Sequence, residues 1–388
     1  MKKALTCMVL IAVMLLATGA MAEGFTLTRL PQNVQLQPVD GVYVLKENGR
    51  YEARGDANDV RIEVDADVTL HLLGVQMLMS EAEVSPVTVL PGAKLTLVLA
   101  NETANVLHAG SAAAGVQAEA GSTLVIRCES GSGHACSESC GSLEARGGDS
   151  VVEESADNAE MQTFGTFAVM PSPGDSAFET AAGAGIGGSA GKSSGSILVE
   201  SGRIQAFGGE SSSISGGAPG VGGGGNTETK NARAHGAKIT ISGGVVKAQG
   251  AVGAAGIGGG DWGGEGRNIT ISGGVVTAQG GDGASGIGGG FLGAGKNIRI
   301  SGGEVTARGG EEATGIGGGY SAAGSQLVLS GGTVYAYAGA QYDYPRTGKP
   351  YAVSPVNDAI GSGAEARTAQ VIALPEQMGV AVSRGQSL

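Results

Sequence analysis

The sequence predicts an all-β fold, a right-handed parallel β-helix with about 29–30 residues per coil. Three observations carry that prediction: a glycine-framed motif returns five times, two alternating segments recur between its copies, and equivalent aliphatic residues keep a fixed offset. The copies are Gly185-Ile186-Gly187-Gly188, Gly220-Val221-Gly222-Gly223, Gly256-Ile257-Gly258-Gly259, Gly286-Ile287-Gly288-Gly289 and Gly315-Ile316-Gly317-Gly318. The last three stand 30 and 29 residues apart, the regular interval of stacked coils.

In chain order, residues 1–22 read as a secretory signal peptide, with Lys2 and Lys3, an apolar run from Val9 to Leu16, and Ala20-Met21-Ala22 as the cleavage site. The run is too short to span a bilayer, and no later stretch could cross one. The expectation is a secreted, extracellular or cell-surface chain with no transmembrane segment in its mature part. Residues 23–60 are assigned to an N-terminal cap, 61–375 to the β-helix, and 376–388 to a C-terminal tail. Within the helix, residues 147–182 lack the repeat and form an irregular acidic insertion.

The coils themselves follow from period-two alternation. Ile239-Thr240-Ile241, Ile269-Thr270-Ile271, Ile298-Arg299-Ile300 and Leu327-Val328-Leu329 keep aliphatics outside a freely varying centre, so one face is buried. Gly243-Gly244, Gly273-Gly274, Gly302-Gly303 and Gly331-Gly332 then supply a tight corner. The next segment keeps Val246, Val276, Val305 and Val334 (Ile204 in the earlier copy), with Ala206, Ala248, Ala278, Ala307 and Ala336 two places on. These point inward. The glycine motif makes a third, flatter side. The register reaches back to Val68-Thr69-Leu70-His71-Leu72 and through Val87 to Val116 and Leu95 to Leu124, each 29 residues. Roughly eight to ten coils of about 4.8 Å give a rod on the order of 40–50 Å long.

Composition bounds the partners. A formal charge of −12, with no basic patch laced by aromatics, argues against nucleic acid. Between Arg146 and Lys192 there is no basic residue but Asp149, Glu153, Glu154, Asp157, Glu160, Asp175 and Glu179 occur, read as a solvated loop without a spaced calcium signature. Cys128, Cys136 and Cys140 follow the signal, with His134 among them. A local disulfide, Cys136–Cys140 or Cys128–Cys140, is the first expectation. A Cys₃His zinc site is the second, with an awkward step from His134 to Cys136.

Candidate binding residues lie at insertions and corners. The loop Asn226–Gly236 carries Lys230, Arg233 and His235, a candidate anion contact on an otherwise mobile polar loop. Just after three successive glycine motifs come Asp261-Trp262, Phe291 and Tyr320. A row of rings on one edge suits stacking on sugar faces; the alternative is that the rings pack on each other and cover the glycine corner. Tyr335, Tyr337, Tyr342, Tyr344 and Tyr351 form a second cluster near the last coil, a rim or part of the cap. Catalysis finds little support. Glu304 is the only carboxylate on the outward strand faces of the repeats, and no histidine has a nucleophile at motif spacing.

Val64-Asp65-Ala66, Val68-Thr69-Leu70-His71-Leu72, Ser85-Pro86-Val87-Thr88-Val89, Leu95-Thr96-Leu97 and Asn105-Val106-Leu107 resemble secreted carbohydrate-binding β-helix proteins of anaerobic bacteria. The Ala-x-Gly-Ile-Gly-Gly-Gly and Ile-x-Ile-Ser-Gly-Gly repeats resemble later coils of the same kind of surface protein. The resemblance implies a non-catalytic protein that binds plant-type or acidic polysaccharide, with calcium as a candidate aid. Asp65 and Asp67 are the nearest acidic pair. The rival readings are an adhesive or structural surface protein without sugar specificity, and a polysaccharide lyase or hydrolase.

Overall fold

A computed structural model describes residues 24–131, 136–153, 178–211, 216–227, 233–340, 359–363, 370–371 and 380–383. Residues 1–22, read as a signal peptide, His134, Lys230, Tyr342, Tyr344, Tyr351 and most of the acidic insertion lie outside those residues. What is described is a right-handed parallel β-helix in which each coil has three sides.

Side one is the Ile239–Ile241 type of strand, side two the Val245–Gln249 type, and side three the Ile257–Gly258 type. Side three stacks into a 10-stranded parallel sheet from Val42–Leu45 to Ile360–Gly361. Sides one and two bend into one another. In Gly266–Gln279, Gly295–Arg308 and Gly324–Tyr337 they merge into single bent strands, with the register slipping at Ser272 and Ser301. Gly274, Gly303 and Gly332 take that bend at φ of 86°, 88° and 84°.

The pairings place like on like. Ile269, Ile298 and Leu327 form one column, Val276, Val305 and Val334 another, and Ala278, Ala307 and Ala336 a third. All nine are at most 1 % exposed. Thr270, Arg299 and Val328 between them stay outside the core. Burying such an aliphatic is worth roughly 1.5–3 kcal/mol, and each column repeats the gain at every rung.

The stack starts earlier than the cap boundary at residue 60 suggests. Val42–Leu45 already pairs in parallel with Arg61–Val64, and Gly49–Asn58 with Asp67–Leu78. Capping falls instead to Thr26–Leu30, which lies antiparallel along Arg50–Arg54 and closes the first edge. At the acidic insertion, Val151–Glu153 and Phe178–Thr180 pair antiparallel, so the base of the detour is a short ribbon. Asn105 occupies the inward place that Leu143 and Ile204 hold in later coils. Its Oδ1 accepts from the Gly74 and Val75 N–H groups at 3.1 and 2.9 Å, and its Nδ2 donates to the Ser142 carbonyl at 3.0 Å. A buried amide is tolerated there because three coils satisfy it.

Side three has room for no side chain at its glycines. A Cβ on Gly288 would lie 2.0 Å from the Gly317 carbonyl oxygen, and its φ is 137°. Gly92, with φ of 85°, has nothing within 4 Å of the same position. Gly92→Ala is expected to cost only the left-handed strain, about 1–2 kcal/mol. Gly288→Ala should lower the thermal midpoint far more or give insoluble chain. Circular-dichroism melts of the two variants check this, and equal midpoints would contradict the packing described.

Candidate functional site

Trp262, Phe291 and Tyr320 come together on one edge of consecutive coils. The Trp262 and Phe291 ring centroids are 5.6 Å apart at 75°, and those of Phe291 and Tyr320 are 5.3 Å apart at 4°. Each ring is half-buried. The contact between rings is therefore real, and Phe291 and Tyr320 spend facing surfaces on one another. Trp262 does not continue that stack. Counted from the glycine motif, Phe291 and Tyr320 align with Asp261, and Trp262 stands one place later, at φ of 50°.

The left-handed corner recurs at Leu292 (φ 58°) and Ser321 (φ 53°), and at Trp262 the preceding Asp261 adds side-chain bonds to it. Its carboxylate is 2 % exposed; Oδ1 accepts from the Trp262 N–H at 2.7 Å and Oδ2 from the Gly216 N–H at 2.9 Å. The Asp261 carbonyl accepts from Asn226 Nδ2 at 2.7 Å. Both bonds to the carboxylate are charge-assisted. Trp262 Nε1 is buried with no acceptor among the described residues, while the residue as a whole is half-exposed. Leu292, 37 % exposed, extends the apolar ridge.

A cationic group borders this ridge. Glu265 accepts from Lys296 Nζ at 2.8 Å and from Arg267 Nε at 2.5 Å, and these two cations stack in register in successive coils. Arg233 lies against Gly263, which a side chain there would strike. Arg267 and Lys296 thus share one carboxylate, and Arg233 stands against the glycine that follows Trp262. The two guanidinium and ammonium neighbours hold the Glu265 carboxyl below its usual range although burial opposes them. Arg267 and Lys296 were not singled out by sequence; their one signal is the shared position, two residues before Ile269 and Ile298.

The loop expected as a mobile anion contact is pinned at both ends. Asn226 Oδ1 accepts from the Ala234 N–H at 2.5 Å, and His235 Nδ1 accepts from the Glu265 N–H at 3.1 Å. His235 Nδ1 is thereby engaged as an acceptor within the fold. Burial, then the Arg267 charge, lowers its pKa below 6.5. Elsewhere, Arg146 lies 4.8 Å over the Phe207 ring and Arg308 4.7 Å over Tyr337, both on the outer end of side two. Tyr335 lies on that same outward face, beside Thr306.

Asp65 and Asp67 do not fit calcium. Asp67 Oδ2 faces Lys94 Nζ at 3.9 Å, and no third carboxylate joins the pair among the described residues. Glu304 is exposed on the outward face, with Val275 and Thr333 beside it in register. Glu210 is the one carboxyl among the described residues whose pKa rises, through burial and then Asp149, which already accepts from the Glu210 N–H at 2.9 Å. Cys128, Cys136 and Cys140 are thiols in the structure, not the expected disulfide, and their sulfurs lie within 4.8 Å of one another. Burial pushes the Cys136 thiol up to about 12. Burial also raises Cys128, but hydrogen bonds with Ser201 and Cys140 outweigh it and hold it low.

A family model described as "Beta helix repeat" matches residues 239–261, 269–291 and 298–320. The three matches end on Asp261, Phe291 and Tyr320, the aligned positions, and leave Trp262 outside the repeat. No curated protein and no solved structure matches the chain. No helix among the described residues is long and apolar enough to cross a membrane.

The lowered His235 pKa sets a pH response. Below 6.5 the unfolded chain takes up a proton that the folded imidazole refuses, so stability is full above 6.5 and falls as pH drops toward the depressed folded value. Thermal midpoints measured from pH 7.5 to 5 should decline over that window, and His235→Asn should flatten the decline. An unchanged acid slope in the variant would place the response elsewhere.

Proposed function

We propose that this chain is an exported, non-catalytic protein that binds acidic polysaccharide along the edge formed by Trp262, Phe291 and Tyr320. The observation that carries the reading is an aromatic file with Arg233 against the glycine after Trp262, and with Arg267 and Lys296 a few residues further along the same coils, on a chain whose net charge is −12. A uronate-type chain offers both features needed there, C–H faces for the half-exposed indole and carboxylates for the cations. The file runs along the solenoid axis, so an extended polymer can pass along the outer edges of several rings at once. That arrangement multiplies weak contacts.

Export rests on residues 1–22 read as a signal peptide, and the non-catalytic reading on the outward strand faces of the repeats. Paired carboxylates of the kind glycosidic cleavage uses are not what these faces carry. Calcium has no part in the proposal.

The single tryptophan makes the test specific, because indole fluorescence reports only on residue 262. Polygalacturonate should shift or quench that emission and retard the chain in affinity electrophoresis, whereas a neutral glucan should do neither. Replacing all three rings by Ala should weaken retention by about 2- to 10-fold per ring with the β-sheet spectrum unchanged. Arg267→Ser with Lys296→Ser should reduce the salt dependence of binding. Retention that survives every variant would remove this edge from the reading. Cell attachment without any glycan retention would favour the adhesive alternative, and release of reducing or unsaturated ends from pectin would favour the lyase or hydrolase one.

A further inference from the structure

The corner between sides one and two is short in most coils. Ser242-Gly243-Gly244 turns it in one coil and Glu200-Ser201-Gly202 in the coil before. In the coil that starts at Val116, the same corner takes residues 129–141, while Thr123–Ile126 and Ser142–Arg146 on either side keep strict register with the next coil. Cys128 ends the first strand and Cys140 stands just before the second, so the two thiols sit at the neck of the detour. Cys136 returns to them. Cys128 Sγ and Cys140 Sγ are 3.6 Å apart, and all three sulfurs are within 4.8 Å of one another.

We propose that Cys128, Cys136 and Cys140 form a three-thiolate site for a thiophilic d¹⁰ cation, Zn²⁺ or Cu⁺. With metal–sulfur bonds of about 2.3 Å, tetrahedral or trigonal thiolates lie about 3.8–4.0 Å apart, so the observed set needs only small shifts to close. A disulfide would draw two sulfurs to about 2.05 Å and leave the third outside the bond. The surroundings hold the set in place. The Gly202 N–H donates to Cys136 Sγ at 3.0 Å, and Ser201 Oγ accepts from the Cys128 N–H at 3.0 Å while donating to the Gly131 carbonyl at 2.7 Å. Such contacts to sulfur and to ligand backbone are what orient metal thiolates. Cys128 and Cys140 are buried and Cys136 is half-exposed, which gives a cation one side of entry. The next coil thereby supplies the second shell, so the site exists only in the stacked fold.

The test uses the full chain, reduced and stripped with chelator under anaerobic conditions, and metal ions alone as probes. Co²⁺ should bind at one equivalent with a thiolate-to-cobalt charge-transfer band that one equivalent of Zn²⁺ displaces. A Cu⁺ arm, read by competition with a colorimetric copper chelator, decides which cation binds tighter. Metal should also lower the number of reagent-reactive thiols by three. Cys136→Ser alters the half-exposed ligand and is expected to keep the fold while weakening affinity by more than about 100-fold. If Cys128→Ser does not fold, thiol protection in the unaltered chain still decides. Absence of the charge-transfer band and of thiol protection in both cation arms would overturn the proposal. So would a Cys128–Cys140 disulfide that persists under reducing conditions, or undiminished binding by Cys136→Ser.

Discussion

Along side three, main-chain carbonyls occupy the space where side chains would begin. Ile287 N donates to Gly315 O and Gly289 N to Gly317 O, both at 2.9 Å, while Gly317 O stands 2.0 Å from the place a Cβ on Gly288 would take. The rungs can approach that closely only with glycine there. The close wall narrows the interior, which is why Ile, Val, Leu and Ala fill it and no aromatic ring is among its buried residues in these coils. It also fixes the register of the other two sides, since each coil must return to the same carbonyl after one turn.

That constraint decides where chemistry can sit. Inward positions belong to the aliphatic columns, and in the glycine-framed coils from Gly185 onward side three offers no outward side chain. What remains are outward strand positions, corners and detours. The aromatic file uses a corner, and its geometry depends on the corner's departure from the repeat: Asp261 turns its carboxylate inward to hold the backbone, and Trp262 is displaced by one residue so that its plane crosses the stack of Phe291 and Tyr320. Arg267 and Lys296 use outward places in adjacent rungs, close enough for one carboxylate, Glu265, to accept from both.

The sequence makes the repeat legible because its columns need the same residue at the same offset. Val276, Val305 and Val334 could be placed above one another before any coordinates, and the pairing of Leu95 with Leu124 is found as the spacing predicts. Departures from periodicity were harder to read. Asn105 stands in an inward place that looked reserved for aliphatics, because its partners, Gly74, Val75 and Ser142, come from other coils. The aromatic file was visible as composition, but not the one-residue offset that turns Trp262. The loop with His235 reads in sequence as a mobile polar loop or a candidate anion contact, and His235 Nδ1 accepts from the Glu265 N–H, a role set by a coil 30 residues away. The cysteines carry two readings by spacing, a disulfide and a Cys₃His zinc site, and spacing does not record that the three sulfurs lie within 4.8 Å of one another.

Detours from the repeat share one requirement, which follows from the close wall. Lengthening a loop costs little, about 0.6 kcal/mol per doubling, so a stack tolerates long insertions provided both ends return to register. The neck of each insertion must then be closed by chemistry local to it. Residues 151–180 close theirs with an antiparallel ribbon, Val151 opposite Thr180. The loop after Asn226 is closed by that buried amide, which bonds both Ala234 and Asp261. Residues 129–141 have no ribbon and no buried amide at the neck among the described residues; they have sulfur, with Ser201 and Gly202 of the next coil pressed against it. Three different closures serve one mechanical need, and the same closure that fastens the corner of the Asn226 loop also sets the indole on the edge where the aromatic file begins.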